Sequence, residues 1–190
     1  MNKERLTAFS DGVIAIIITI MVLELKVPRG GDWAGLLSLW PTFVSYVLSF
    51  VFVAIYWNNH HHLLHACRRV TGAILWANMH LLFWLSLLPF TTGWMGENKF
   101  AQKPVVVYGV SLLMPAIAYF ILQSRIVHAN GEDRALANAI GPDIKGKLSL
   151  AICVAGIALG FVSPALACAD YVLLAAIWLI PDRRIERVLR

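Results

Sequence analysis

The sequence has few charged residues for its length. Asp, Glu, Lys and Arg make up 14% of the 190 residues, whereas apolar residues make up 59%, and the mean hydropathy is +0.70. A soluble domain carries about 25% charged and roughly 45–50% apolar residues, so this chain has too little polar surface to cover a globule in water. The composition therefore predicts an integral membrane protein. The formal charge of +5 comes from an excess of Lys and Arg, and in a membrane protein such an excess is typical of cytoplasmic loops and ends. We therefore do not expect a nucleic acid as a partner.

Cysteine is also scarce. The three cysteines, Cys67, Cys153 and Cys168, lie in or beside apolar runs at no spacing typical of metal ligands. An odd number of cysteines cannot pair completely within one chain. We interpret all three as small buried apolar residues.

Long apolar runs, by contrast, recur along the chain. A helix needs about 20 residues to cross the roughly 30 Å hydrocarbon core of a bilayer. The last run, 148–180, is too long for one helix and is interrupted at Ser163–Pro164, which favours two short helices in a hairpin. The sequence predicts an all-α membrane protein with one domain, 1–190, and six transmembrane helices, at about 9–27, 40–62, 73–95, 104–127, 148–163 and 165–180. Four aromatic residues near the predicted ends suit an interfacial belt: Trp33, Trp40, Trp94 and Tyr108.

Lys and Arg are divided unequally between the two sides of these spans. An even number of spans leaves both termini on one side, together with the polar connection at 128–147, which we interpret as a loop. Twelve of the sixteen Lys and Arg fall on that side, which predicts cytoplasmic termini and a multi-pass protein of the cell (inner) membrane. Glu4 and Asp11 interrupt the start, so we expect the first helix to stay in the protein rather than be cleaved as a signal peptide. The twelve are Lys3, Arg5, Arg68, Arg69, Arg125, Arg134, Lys145, Lys147, Arg183, Arg184, Arg187 and Arg190; the other four are Lys26, Arg29, Lys99 and Lys103.

Asp11 is a carboxylate inside the first predicted span. A charged group near a helix centre costs about 2.5–3.5 kcal/mol on insertion, so it needs a partner. Arg5 precedes it by six residues and lies on another side of the helix, so we expect Asp11 to find its partner on a different helix. The second span ends in the polar segment 56–62 at the same depth. A polar cluster joining these two helices near the cytoplasmic face is expected.

Three roles are open for this cluster. Hydrogen bonds that only hold the helices together are the simplest. Imidazoles beside a carboxylate also titrate near neutral pH, so Asp11 with His60, His61 and His62 would suit a proton-coupled carrier or a proton-permeable channel. His61 and His65 have the i, i+4 spacing of metal ligands, but no further ligand follows at a telling distance. We expect no metal, no catalytic residues and no enzymatic activity.

The residues after Asp11 form an apolar stripe on one side of the first helix. At 100° per residue, the stripe lies within about 40° of Ile16, and Thr19 is about 60° away. Ser10 and Asp11 are about 120° and 140° away, on the other side. Composition favours a stripe that faces lipid or the core, but it could equally line a hydrophobic constriction if several copies surrounded an axis. The stripe consists of Gly12, Ile16, Ile20, Leu23 and Val27.

Residues 5–11 read R-x-x-x-F-S-D. This pattern resembles the signature of the transmembrane protein 175 family of potassium channels. The segments 56–62, 75–78 and 87–91 are similar to other segments of the same family. The resemblance is close over roughly the first half of the chain and extends to the rest by hydropathy.

The resemblance implies six helices per repeat, with the first helix lining a central pore. Since this chain holds one repeat, it implies a homotetramer in the lipid bilayer, permeated by monovalent cations, K+ above all, with no cofactor. The implied pore constriction and gate consist of Ile16, Ile20 and Leu23, and Ile16 with Thr19 is implied to set potassium preference. The implied polar network that supports this helix consists of Arg5, Phe9, Ser10, Asp11, Trp57 and His61 or a neighbouring histidine.

A channel of this kind would work without a ring of backbone carbonyls. Four Ile16 side chains would close the axis by excluding water, and the first helices would have to separate or rotate for ions to pass. Discrimination between potassium and sodium would depend on the lower dehydration cost of the larger ion at a narrow ring. We expect only moderate selectivity. Glu24, near the outer mouth, could attract cations, but we favour its interpretation as a solvated interfacial carboxylate.

Overall fold

The protein is described by a computed structural model that covers residues 2–28, 31–130 and 143–179. Within those ranges it consists of helices and short connections, without a strand. The helices are α1 (Lys3–Leu23), α2 (Trp33–Ser38), α3 (Trp40–His65), α4 (Gly72–Ser86), α5 (Leu88–Glu97), α6 (Gln102–Ala129), α7 (Ile144–Val162) and α8 (Pro164–Leu179). Three sets of predicted positions lie outside the described residues: Arg29, most of the connection at 128–147 including Arg134, and residues 180–190 with their four arginines.

Five stretches are long and apolar enough to cross a membrane: α1, α3, α4 together with α5, α6, and α7. The sixth predicted span corresponds to α8, which has 16 residues and is therefore about 24 Å long. The prediction of an all-α protein with several membrane spans is confirmed. By length and composition, five of the six predicted spans meet the requirement in the described part of the chain.

Local sequence explains where α1 begins and ends. Asn2 precedes the helix, and its side-chain oxygen accepts a hydrogen bond from the backbone N–H of Glu4 at 3.2 Å. The helix ends at Leu23, earlier than the predicted end at Val27. Pro28 disfavours helical geometry in Val27, so the helix does not reach the predicted end.

The third predicted span is divided into two helices. Thr71 caps α4 by accepting a hydrogen bond from the N–H of Ile74 at 3.3 Å. Leu87 separates α4 from α5, and Pro89 occupies the second position of α5. Because proline lacks an N–H, it is tolerated in a first helical turn but not in a helix interior. The two helices together still form one apolar stretch, Gly72–Glu97.

The core lies where α1, α3, α4, α5 and α6 meet. α1 packs against α3, α4 and α5, while α6 contacts α4, α5, α7 and α8. α3 and α5 approach closely at Gly96, since a Cβ on this residue would lie 2.6 Å from the Cα of Thr42. Side chains that are almost fully buried in this core include Leu6, Ile14, Leu63, Ile74, Leu81, Leu85, Leu88 and Met95.

Tyr108 does not belong to an interfacial belt. It is fully buried, and its hydroxyl lies 2.9 Å from Ser49 Oγ, which in turn lies 2.7 Å from Thr92 Oγ1. The prediction was wrong because hydroxyls on neighbouring helices satisfy the phenol inside the bundle. Trp33 and Trp40, by contrast, are 79% and 57% exposed.

All three cysteines are free thiols. Cys67 and Cys153 are buried, which confirms the interpretation for these two, and Cys168 is half-buried. Cys67 lies in the connection between α3 and α4, where burial raises the pKa of its thiol. It therefore forms little thiolate at neutral pH.

Candidate pore-lining face and its supporting network

α1 has two faces with different surroundings. The buried face packs against the rest of the chain and consists of Leu6, Ser10, Ile14, Ile17 and Met21. On the adjoining side, which is turned away from the core, Phe9, Ile16, Ile20 and Leu23 are 49%, 59%, 42% and 75% exposed. The apolar stripe predicted from the sequence thus lies outside the core of its own chain.

Thr19 lies on the exposed side of α1, close to Ile16. Its hydroxyl donates a hydrogen bond to the carbonyl oxygen of Ala15 at 2.9 Å. This bond uses the hydroxyl hydrogen, so the lone pairs of the oxygen stay free to accept from water or to coordinate a cation. The exposed side of α1 therefore combines large apolar side chains with one hydroxyl oxygen, that of Thr19, whose lone pairs are available.

Asp11 ties α1 to α3. The indole Nε1 of Trp57 donates a hydrogen bond to Asp11 Oδ1 at 3.0 Å. The partner of the carboxylate lies on another helix, as expected from the position of Arg5. The contact is made at the end of α3 that the sequence predicts to be cytoplasmic.

A second set of hydrogen bonds crosses three helices. Asn78 Nδ2 of α4 donates to Ser10 Oγ at 2.9 Å, and His60 Nε2 of α3 lies 2.7 Å from Asn78 Oδ1. Ser10 donates in turn to the carbonyl oxygen of Leu6 at 2.9 Å. Because Asn78 Oδ1 can only accept, His60 Nε2 carries the hydrogen, and His60 Nδ1 is left as a buried acceptor without a partner. These fully buried side chains hold α1, α3 and α4 together.

The buried histidine is therefore His60 and not His61. His61 is exposed, and its ring stacks on that of His65 with centroids 6.2 Å apart. Val53 and Leu64 are buried on α3, seven residues before and four residues after His60. This helical spacing places His60 on the buried face, and it is the signal by which sequence reasoning could have found it.

Arg5 and Phe9 stay outside these hydrogen bonds. Arg5 is exposed at the start of α1, and Phe9 is exposed on the same side as Ile16. The start of α1 is instead anchored by Lys3, whose Nζ donates to the carbonyl oxygen of His65 at 2.7 Å. Across the ranges that the structure describes, no three His, Cys, Asp or Glu side chains are grouped so that they could hold a metal ion.

Two carboxylates, Glu24 and Glu97, lie near the C-terminal end of α1. Lys26, just after the helix, forms an exposed ion pair with Glu97 of α5, whose carboxylate accepts its hydrogen bond and raises the pKa of Lys26. Glu24 is exposed and packs beside Gly93. Glu24 and Glu97 both line an open depression next to Ile20.

These features define an all-α, multi-pass membrane protein whose N-terminal helix keeps an apolar face free and is held from behind by buried polar groups. A sequence profile described as endosomal/lysosomal potassium channel TMEM175 matches residues 5–89. A potassium channel of Chryseobacterium sp. (strain P1-3) is 55% identical over 190 residues, which covers 100% of this chain and 99% of that relative. The chain belongs to the TMEM175 family.

The similarity extends to a solved structure and to an animal relative. The crystal structure of a lysosomal potassium-selective channel TMEM175 homologue from Chamaesiphon minutus matches with a TM-score of 0.83 and 30% sequence identity, covering 95% of this chain and 97% of that one. The human endosomal/lysosomal proton channel TMEM175 is 33% identical over 116 residues, which is 55% of this chain and 23% of the human protein. The family predicted from residues 5–11 is confirmed, and the likeness covers nearly the whole chain.

Proposed function

We propose that this protein is a moderately potassium-selective cation channel of the cell membrane. It assembles as a homotetramer with six transmembrane helices per subunit, a pore lined by α1 and both termini in the cytoplasm. The observation that carries this proposal is the 59% exposure of Ile16, a large apolar side chain that the signature-bearing helix holds outside its own core. The names of the bacterial relatives, which are potassium channels, support the choice of ion.

The constriction is a ring of hydrocarbon. In the tetramer the four Ile16 side chains form the narrowest level, and Ile20 and Leu23 form further apolar levels toward the outer mouth. Such a ring excludes water, so ions pass only when the α1 helices move apart or rotate. K+ gives up its water at lower cost than Na+, and the Thr19 oxygens replace part of that water, which yields moderate discrimination.

The polar network acts on the gate from behind. The Asp11–Trp57 bond fixes α1 against α3, and the Ser10–Asn78–His60 bonds fix it against α3 and α4. Both contacts lie on the opposite side of α1 from Ile16. These bonds set the rotation of α1 and therefore which residues reach the axis. Because they also join α1 to α3 and α4, their loss should impair folding or assembly before it alters ion preference.

Liposomes containing the purified protein test the proposal when potassium and sodium gradients are imposed in turn. We expect potassium flux in excess of sodium flux, and Ile16→Ala should raise total flux and reduce the discrimination with little loss of stability. Its matched control is Ile17→Ala, because Ile17 is 2% exposed on the same helix. Truncating this buried neighbour should cost about 2–4 kcal/mol of stability and leave ion preference unchanged. If the wild-type protein conducts neither potassium nor sodium, the proposal is contradicted.

Proton permeation is the second candidate, favoured by the unpaired acceptor His60 Nδ1 and by the name of the human relative, a proton channel. The same liposomes, loaded with a pH-sensitive dye, distinguish it. If Asp11 and His60 form a proton path, Asp11→Asn abolishes proton flux and spares potassium flux. If they only hold the helices, Asp11→Asn keeps the oxygen that accepts from Trp57 and leaves both fluxes nearly unchanged. Saturable uptake driven by pH would instead indicate a proton-coupled carrier.

A further inference from the structure

Asp170 is a carboxylic acid in the middle of α8. It is the only charged residue of that helix, whose sequence is otherwise almost entirely apolar. At 1.5 Å per residue it lies about 9 Å from Pro164 and about 13 Å from Leu179, far from either end. An ionisable residue at such a place is costly and calls for a specific role.

The carboxyl group is turned into the contact between α7 and α8. Asp170 Oδ2 is buried and has no hydrogen-bond partner. It lies directly over Gly156 of α7, where a Cβ would collide both with this oxygen and with the ring of Tyr171. The carboxyl group of Asp170 therefore fits between α7 and α8 only because Gly156 has no side chain.

In the part of the chain that the structure describes, no cation forms an ion pair with this carboxyl group. The titratable side chains around it are Cys153 on α7, Cys168 and Tyr171 on α8, and Tyr108 on α6, whose ring lies 5.7 Å from that of Tyr171. Within the described ranges, Asp170 has no ion-pair partner. Asp170 is half-buried, and on its buried side an ionised carboxylate would have neither a donor nor a counter-ion among the described residues, whereas the protonated acid is neutral and far less costly to bury.

We propose that Asp170 binds a proton within the membrane and is held there as the neutral acid, which makes it a modification site for lipid-soluble carbodiimides. The inference does not depend on the proposed ion conduction. A carbodiimide reacts with a protonated carboxyl group by addition: the acid proton passes to one nitrogen and the carboxyl oxygen bonds to the central carbon. Migration of the acyl group to nitrogen then gives a stable N-acylurea, with no leaving group.

Peptide mass spectrometry after treatment with dicyclohexylcarbodiimide tests the proposal on the whole protein in liposomes. We expect Asp170 to be labelled to the same extent at about pH 5, 6 and 7. An acetylated aspartyl peptide added to the same reaction is the reference, and its labelling should fall about tenfold for each pH unit, as the protonated fraction of an ordinary aspartate does. A charged, water-soluble carbodiimide should instead label Asp32, which is exposed before α2.

Two variants complete the test. Asp170→Asn should lose the label while eluting from gel filtration like the wild-type protein. Gly156→Ala moves the carboxyl group out of the α7–α8 contact and toward the lipid in which this reagent dissolves, so Asp170 should be labelled faster than in the wild-type protein and still equally at each pH. The proposal is overturned if Asp170 of the wild-type protein is not labelled, or if its labelling falls with pH in parallel with that of the reference peptide.

Discussion

Asn78 is the side chain on which the buried network depends. Its amide nitrogen donates to Ser10 and its amide oxygen accepts from His60, so one planar group satisfies two partners on two other helices. Of the other side chains, only glutamine offers a donor and an acceptor in this arrangement, and it is longer. The position therefore tolerates little change, although the amide lies far from the exposed face of α1.

Asn78→Ala should lower the stability of the folded protein. The change leaves the His60 N–H and the Ser10 oxygen without their partner, at about 1–3 kcal/mol for each buried group. Thermal unfolding in detergent, followed by the loss of the monodisperse gel-filtration peak, measures the effect. Asn58→Ala is the control, since Asn58 is exposed on α3, and it should change stability by less than about 0.5 kcal/mol. Equal losses in the two variants would refute a specific role for the network.

At the scale of helices, the long apolar helices were predictable because a membrane span needs about 20 apolar residues whatever it packs against. The break at Leu87 was not predicted, because it depends on Pro89 inside a continuous apolar run. Hydropathy also does not separate a face that contacts protein from one that contacts lipid, since both are apolar. Helical angles supplied that separation for α1, and the same angles on α3 could have identified His60 as buried. Asp170 was recognisable in the sequence as a charged residue inside an apolar run, but its place against Gly156 was not.

Gly96 fixes how closely α3 and α5 approach. An added Cβ would lie 2.6 Å from the Cα of Thr42, and a backbone atom cannot turn aside as a flexible side chain can. We expect Gly96→Ala to force the helices apart and to destabilise the protein by about 1–3 kcal/mol. Gly72→Ala, at the start of α4 with nothing within 4 Å of the added carbon, should be neutral or slightly stabilising. Thermal unfolding of the two variants side by side measures the difference, and similar transition temperatures would contradict the packing argument.

At the scale of the whole molecule, one chain does not enclose a pore. The face of α1 that carries Ile16, Ile20 and Leu23 is exposed, while its other face is fully used in contacts with α3, α4 and α5. A water-excluding ring therefore needs the same face from other copies around a shared axis. Closed rotational symmetry supplies this, because each copy then presents an identical surface to the centre.

Disulfide trapping distinguishes an axial Ile16 from one that faces lipid. In a closed tetramer, Ile16→Cys places thiols from neighbouring subunits close enough to bond, since a disulfide requires Cα atoms within about 7 Å. We expect oxidation to give covalent dimers on a denaturing gel and to block potassium flux, with both effects reversed by a reductant. Ile17→Cys, buried within its own subunit, and the wild-type protein with its three native thiols should remain monomeric on the same gel. If Ile17→Cys cross-links as readily as Ile16→Cys, or if neither does, α1 does not turn its exposed face toward a common axis.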